Sequence, residues 1–294
     1  MGGASPEPEL ISVVIPVLDT AETLPAQLEA LRRQTYGGKW EVIIADNGST
    51  DGTPDLARTW ADRIPELRVV DASDRKGQAH ARNVGAAVAR GDFIAFCDAD
   101  DVATPGWLEA MAEAARSFDV VAGALDHDSL NDPLVRSWRS AQPREEGPED
   151  QVFLPWAESA NLGARTLVFR ELGGFNEDYP TGEDVEFSWR AQLGSYRFRF
   201  ARGAVVRYRH RTGFGPLVRQ HYAFGVNSAK LYRDFRSRGM PKSPVHRALR
   251  VWGRVLIHLV VDLPSRERWG AWLRKAAYRW GRLRGSIRYR VFYP

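Results

Sequence analysis

Residues 92–101 read Asp92-Phe93-Ile94-Ala95-Phe96-Cys97-Asp98-Ala99-Asp100-Asp101, an apolar run that ends abruptly in carboxylates. A short, unbroken apolar run predicts a strand covered on both faces, as in a parallel sheet. Three similar runs precede it, over 11–18, 41–45 and 67–70. Between them the spacing turns helical. Leu24, Leu28 and Leu31 repeat at i, i+4 and i+7 within 21–34, Thr53-Pro54 opens a helix over 53–63, and 79–89 is a helix of small residues. A further helix is expected over 105–116 and a further strand over 119–125. This alternation predicts a doubly wound, mostly parallel α/β sheet.

In an open parallel sheet, ligands collect outside the carboxyl ends of the strands. Three strands bring acids to that edge. Asp19 follows the first, Asp46-Asn47-Gly48-Ser49-Thr50-Asp51 the second, and Asp98-Ala99-Asp100-Asp101 the fourth. Carboxylates gathered at one edge repel each other unless a cation or a ligand's donors offset the repulsion. Alternate residues leaving a strand share a side, so Asp98 and Asp100 are able to hold one ion. Hard oxygen donors select Mg2+ or Mn2+, completed by water and substrate phosphates. The alternative is that Asp98 or Asp101 only caps the helix beginning near Pro105, the commoner outcome for an isolated pair at this spacing; the strand before it and the two other acidic strand ends favour a ligand.

Asp46 sits in turn chemistry, with Asn47 or Gly48 taking positive φ, and its carboxylate could also accept from the N3–H of a uracil- or thymine-like base. Gly77 to Gly85 opens a helix with small residues, which admit a ligand to a helix N-terminus that favours anions. Glu183-Asp184 opens another helix, where acids suit the terminus electrostatically. A carboxylate facing a reactive sugar is also what a general base requires. Glu186 and Arg190 form a surface i,i+4 pair.

Charge is distributed unevenly. Residues 201–294 carry 22 Lys and Arg against three acids, a net of +19, while 1–200 carry 19 against 34, a net of −15, within a formal total of +4. A basic region of this kind predicts an anionic partner or packing against the acidic body. Three helices are expected there, over 214–236, 244–263 and 265–288. In the last, Trp269, Trp272, Leu273, Ala276, Trp280, Leu283 and Ile287 form an apolar stripe among arginines, which suits a membrane interface. No run reaches the ~18 apolar residues of a spanning helix, and 251–263 is interrupted by Arg254, His258 and Asp262. Residues 1–10 carry neither a basic nor an apolar leader region and read as a flexible N-terminus. One cysteine, Cys97, excludes an intrachain disulfide and fits a reducing compartment. Residues 126–155 read as a long polar loop or flap, 182–193 as a short helix, and 197–209 as one or two strands.

Taken together and in order, Ile15-Pro16-Val17-Leu18-Asp19, Ile43 to Asp51, Gly77 to Gly85, Asp98 to Asp101 and Gly182-Glu183-Asp184-Val185-Glu186-Phe187 resemble family 2 glycosyltransferases of the GT-A fold over about 11–210. Asp19 departs from the Asn often found there, as Leu18 does from Tyr or Phe. The resemblance implies a GT-A catalytic domain over 11–212 and a basic helical C-terminal region over 213–294. It implies a nucleotide-sugar donor, with UDP or dTDP favoured over GDP, and an acceptor hydroxyl on a lipid-linked or cell-envelope glycan. Pro16, Asp19, Asp46, Gly77, Arg82, Asp98 and Ala99 would form the donor site. Asp100, Asp98 and His210 would meet Mg2+ or Mn2+, Asp184 would be the catalytic base, and Glu183 would help place the acceptor. The implied chemistry is inversion in a cytoplasmic enzyme, peripheral on an anionic inner membrane face, with no nucleic acid partner. A nucleotidyltransferase and a non-catalytic nucleotide-binding module are the rival readings; the first would more often carry a Gly-rich basic loop near the N-terminus, absent after Ile15, and the intact acid pairs weigh against the second.

Overall fold

The computed structural model describes residues 6–64, 66–139, 153–261 and 265–293. Eight strands form one sheet in the order β3-β2-β1-β4-β7-β6-β8-β5. They are β1 (Leu10–Val17), β2 (Lys39–Asp46), β3 (Leu67–Asp71), β4 (Phe93–Cys97), β5 (Val102–Ala103), β6 (Val120–Asp126), β7 (Asn161–Arg165) and β8 (Phe198–Arg207). The helices are α1 (Leu24–Arg32), α2 (Thr53–Arg58), α3 (Gln78–Ala87), α4 (Trp107–Ala115), α5 (Pro133–Ser137), α6 (Thr166–Glu171), α7 (Glu183–Leu193), α8 (Phe214–Phe235), α9 (Val245–Val261) and α10 (Arg266–Arg288).

The first four strands pair in parallel, as do β6 and β8. β7 runs antiparallel between β4 and β6, and β5 antiparallel on β8. The central strands are apolar throughout because both faces are covered. Ile11, Val13 and Ile15 face a core with Leu24 and Leu28 of α1, Ala57 of α2 and Trp107 and Met111 of α4. Val14, Ile43, Ile94 and Phe96 face a second core with Ala79 and Ala86 of α3, Phe169 of α6 and Phe187 of α7.

The segment 161–171, with β7 and α6, had no strand or helix expectation. Its strand reads Asn-Leu-Gly-Ala-Arg, too short and too small to show a pattern. Smallness is what the position requires, since a Cβ at Gly163 would lie 2.4 Å from the Phe93 ring. Helix α2 ends at Arg58 and α1 begins at Leu24, so both are shorter than their spacing suggests. Of the expected flap over 126–155, residues 133–137 form α5, capped by the Asp132 carboxylate accepting from the Leu134 N–H at 2.7 Å. The remainder over 140–152 lies outside the described residues. Within the expected flexible lead-in, Leu10 N–H donates to Asp92 at 3.0 Å and Glu7 pairs with Arg116 at 2.6 Å.

The basic C-terminal helices split in two. α8 and α10 cross at glycines: a Cβ on Gly225 would lie 2.0 Å from the Tyr278 carbonyl oxygen, and one on Gly281 2.0 Å from that of Tyr222. Tyr293 then stacks on Tyr232 at 4.3 Å, with the Arg282 guanidinium 3.7 Å over its ring. These residues share a cluster with Tyr179 and Trp189 of the sheet-bearing part. Along the expected stripe of α10, Ala276 is buried in this crossing, while Trp280, Leu283 and Ile287 stay exposed.

Candidate active site

β4 ends at the buried Cys97, and the next four residues turn back over the strand ends. Asp98, Asp100 and Asp101 each offer a carboxylate oxygen, all within 4.8 Å of one another. Asp101 is fully buried. Its Oδ1 accepts from the Arg209 backbone N–H at 2.7 Å, and its Oδ2 has no hydrogen-bond partner among the described residues. Burial, followed by the charges of Asp98 and Asp100, pushes its carboxyl up to about 9. Burial and Asp98 likewise raise Asp100, against the opposing charges of Arg211 and Arg209. An orphaned buried oxygen among mutually repelling carboxylates fits a hard divalent cation. Asp98 and Asp100 were legible from their spacing. Asp101 had the alternative reading of a helix cap, and its burial sets it among the other two carboxylates. Ala99, buried between them, is small enough to let the turn close.

Arg82 links this cluster to the next. Its side chain is 1% exposed, donating from Nη2 to Asp98 Oδ1 at 2.6 Å and from Nη1 to Glu183 Oε1 at 3.0 Å. Burial opposes its charge, but Asp98 and Glu183 outweigh that and hold its pKa above the usual value. Helix α3 presents Arg82 from a fixed start. Gly77, at φ +146°, donates its N–H to Asn47 Oδ1 at 2.8 Å. Asn47 in turn donates to the carbonyls of Ala72 and Arg75 at 2.6 and 2.8 Å, sewing the end of β2 to the loop before α3. So the donor residue expected at position 82 has its guanidinium turned onto two carboxylates.

Glu183 and Asp184 occupy the first turn of α7, entered through Gly182 at φ +81°. Burial, then the neighbouring Asp184 charge, pushes the Glu183 carboxyl up to about 7 against the pull of Arg82. Burial also raises Asp184, opposed by the backbone N–H groups of Ser159 and Val185, which donate to its oxygens at 3.0 and 2.8 Å. A third carboxyl, Glu158, stands beside Ser159. Burial, then the charges of Asp184 and Asp98, push it up to about 7. Sequence reasoning missed Glu158 because it precedes β7, in a stretch with no periodic signal.

The other strand ends hold turns as well as a cleft. Pro16 is half-buried beside Ala45 on β2. Asp46 is 9% exposed and accepts from the Ser49 N–H at 3.1 Å, so its turn role is met. Asp19 takes φ +51° and accepts from the Thr50 N–H at 2.7 Å, tying the β1 and β2 loops together. A cleft of about 340 Å³ opens beside it, bordered by Thr23, Asp100, Asn131, Val135, Arg209 and Arg211. His210 also borders this cleft but stands outside the carboxylate group. Its ring stacks on His127 at 5.0 Å, and neither ring nitrogen has a hydrogen-bond partner among the described residues. Burial, then Arg139 and His127, push its pKa down to about 3 and keep it neutral, as a metal ligand must be. Arg209 donates from Nε to the Asp100 carbonyl at 2.9 Å, an anchoring that a basic run in the sequence does not disclose.

The family model described as Glycosyl transferase family 2 matches residues 12–172, more than half of the chain. The chain belongs to this family. A second model, Glycosyl transferase family group 2, matches residues 93–278. The glycosyltransferase AglE of Haloferax volcanii is 29% identical over 229 residues, covering 76% of this chain and 74% of that protein. The validoxylamine A glucosyltransferase of Streptomyces hygroscopicus subsp. jinggangensis is 30% identical over 223 residues, covering 65% of this chain and 53% of that protein. The chain spans 47% of the pre-mycofactocin glycosyltransferase of Mycobacterium tuberculosis, at 29% identity over 75% of its own length. Among solved structures, the mannosyltransferase PcManGT from Pyrobaculum calidifontis, in complex with GDP-Man and Mn2+, superposes with a TM-score of 0.61 at 20% identity, covering 98% of this chain and 77% of that one. TarS 1-349 of S. aureus, in complex with UDP-GlcNAc, gives 0.55 at 18% identity, covering 97% and 93%. The fold is that of GT-A glycosyltransferases, and the chain is a glycosyltransferase.

Proposed function

We propose that this glycosyltransferase moves a sugar from a nucleoside diphosphate sugar to an acceptor hydroxyl with inversion, using Mg2+ or Mn2+. The observation that carries the reading is the Arg82 bridge, which joins Asp98 of the carboxylate cluster to Glu183 of the α7 acid pair. Metal-type carboxylates and a base candidate thereby belong to one site. Asp98, Asp100 and Asp101 would hold the cation, with His210 at the cleft wall. Bound there, it would offset charge building on the leaving diphosphate. Arg209 and Arg211 bring positive charge to the same cleft for the diphosphate oxygens. Asp46 accepts from the nucleobase, with UDP or dTDP favoured over GDP, and Pro16, Asp19 and Gly77 shape the walls around it.

The acceptor oxygen attacks the anomeric carbon from the face opposite the departing diphosphate, through an oxocarbenium-like transition state. Asp184 takes the hydroxyl proton, and its raised pKa makes it a stronger base than a free carboxylate. Glu183 positions the acceptor. The acceptor is a lipid-linked or cell-envelope glycan met at the inner face of an anionic membrane.

Titration calorimetry with UDP, with and without Mn2+, tests the site. Asp100→Ala should abolish the Mn2+-dependent part of binding and all transfer while leaving the melting temperature within a few degrees. Full activity of that variant in EDTA would reject metal use here.

A further inference from the structure

Among the described residues, helix α9 carries a row of exposed apolar side chains. Val245, Leu249 and Leu256 fall within a sector of about 40° on the helix circumference. They are 46%, 67% and 65% exposed, whereas Ala248 and Val255, around the circumference from them, are 4% and 6% exposed. Trp252 carries the face across to α10, where it meets Trp280 edge-on at 5.6 Å. Trp280, Leu283 and Ile287 then continue along α10 at i, i+3 and i+7, all exposed. Arg284 and Arg288 border the α10 face, while Arg250 and Arg254 lie farther round α9, all exposed. Contiguous apolar surface with a polar rim marks an interaction site rather than ordinary surface scatter.

We propose that this joint face of α9 and α10 docks on an anionic lipid bilayer, with the apolar side chains in the headgroup boundary and the arginines at the phosphates. Charge selects the occupant. The region from 201 onward carries a net +19, and each arginine beside the face complements an anionic headgroup. A second copy of the chain fits poorly, because a two-fold contact would set these arginines against themselves. None of the described helices is long and apolar enough to cross a membrane, so the face lies on the bilayer rather than through it.

The docking face is wired to the cleft. Trp272 donates from Nε1 to the Val255 carbonyl at 2.7 Å, joining α10 to α9. Arg274 donates from Nε to the Trp138 carbonyl at 2.9 Å. Gly270 lies so close to the Trp138 indole that a Cβ there would come within 2.2 Å. Trp138 packs with Val135, which borders the cleft beside Asp100. A surface-bound α9 is therefore joined through Trp272, Arg274 and Trp138 to the wall of the cleft assigned to the donor diphosphate.

The proposal rests on the transferase reading only for that consequence. The binding itself is measured without donor or acceptor, so the two fail separately. The full chain is sedimented with phosphatidylglycerol–phosphatidylcholine vesicles and with phosphatidylcholine vesicles, at low and high salt. Binding to the anionic vesicles should be about tenfold or more tighter, and should weaken as salt rises. Leu249→Glu with Leu256→Glu, at exposed positions, should lose about tenfold in vesicle affinity while melting temperature and UDP binding stay unchanged. Arg284→Glu with Arg288→Glu, at exposed positions beside Trp280 and Ile287, should remove most of the preference for anionic lipid. Equal binding to both vesicle types, or wild-type binding by the leucine variant, would overturn the proposal. A dimer in sedimentation velocity that the leucine variant dissolves, without vesicle binding, would assign the face to a second copy instead.

Discussion

Replacing Arg82 by Met removes a cation that is 1% exposed and bonded to two carboxylates at 2.6 and 3.0 Å. Taking one partner from a buried ion pair costs about 3–5 kcal/mol, because the other charge stays buried without compensation. Here two charges are left, and Glu183 has a release, since its carboxyl already stands at about 7 with Arg82 present. Without the guanidinium it rises further, so the folded chain binds a proton that the unfolded chain does not. Stability gained from that proton is present at low pH and lost as pH rises through the folded pKa. In EDTA, Arg82→Met should therefore lose about 3 kcal/mol at pH 8 and clearly less at pH 5.5. Urea unfolding at both pH values measures this directly. Glu183→Gln in the same background should recover part of the loss, with a coupling of about 1–3 kcal/mol in the double-mutant cycle. The alkaline-going limb of the kcat profile should shift upward in Arg82→Met. Unfolding free energies within about 0.5 kcal/mol of the parent at pH 8, with additive effects in the cycle, would refute the bridge as the organising contact.

Asp184→Asn keeps the shape of the side chain but cannot accept a proton, so turnover should fall by about 10²–10⁴ with UDP affinity nearly unchanged by calorimetry. Glu158→Gln should stabilise the fold above pH 7, where the native carboxyl ionises at a cost. The gain is bounded by about 3 kcal/mol, lowered by partial exposure, and shrinks in urea melts as pH falls, vanishing below about pH 4, where the carboxyl is neutral in both the folded and the unfolded chain. Gly281→Val would drive a side chain into the Tyr222 carbonyl and should cost about 3 kcal/mol or more, seen as a lowered urea midpoint.

Much of the fold was legible because its strands are buried on both faces. Val13 and Val14 point into different cores, so the run is apolar without alternation and marks a parallel strand from sequence alone. The antiparallel β7 left no such mark. Its place is set by long-range fit: Gly163 beneath Phe93, and Asn161 bonded to the Trp107 indole at 2.8 Å and the Ala204 carbonyl at 2.9 Å. The acids at the strand ends were visible for the same topological reason, since the edge where strands finish is where ligands gather. Glu158, the burial of Asp101 and the anchoring of Arg209 were not, because each depends on packing or on a partner distant in the chain. The two helices of the basic region show the same limit. The sequence put the membrane-facing stripe on α10 alone, and only the structure shows α10 half committed to α8 at the glycine crossing and an exposed apolar face on α9.

The lone thiol offers a clock. Cys97 is fully buried at the last residue of β4, immediately before Asp98, and burial followed by the Asp98 and Asp101 charges holds it far above its ordinary pKa. It reacts as a thiolate, so a maleimide or disulfide reagent can label it only when this end of the sheet opens. With one cysteine in the chain, every label reports exposure of this one place beside the carboxylate cluster. A ligand that binds the closed arrangement would slow labelling in proportion to its occupancy. The labelling rate thus reports local breathing beside the reaction centre, in whole molecules and without any substrate turning over.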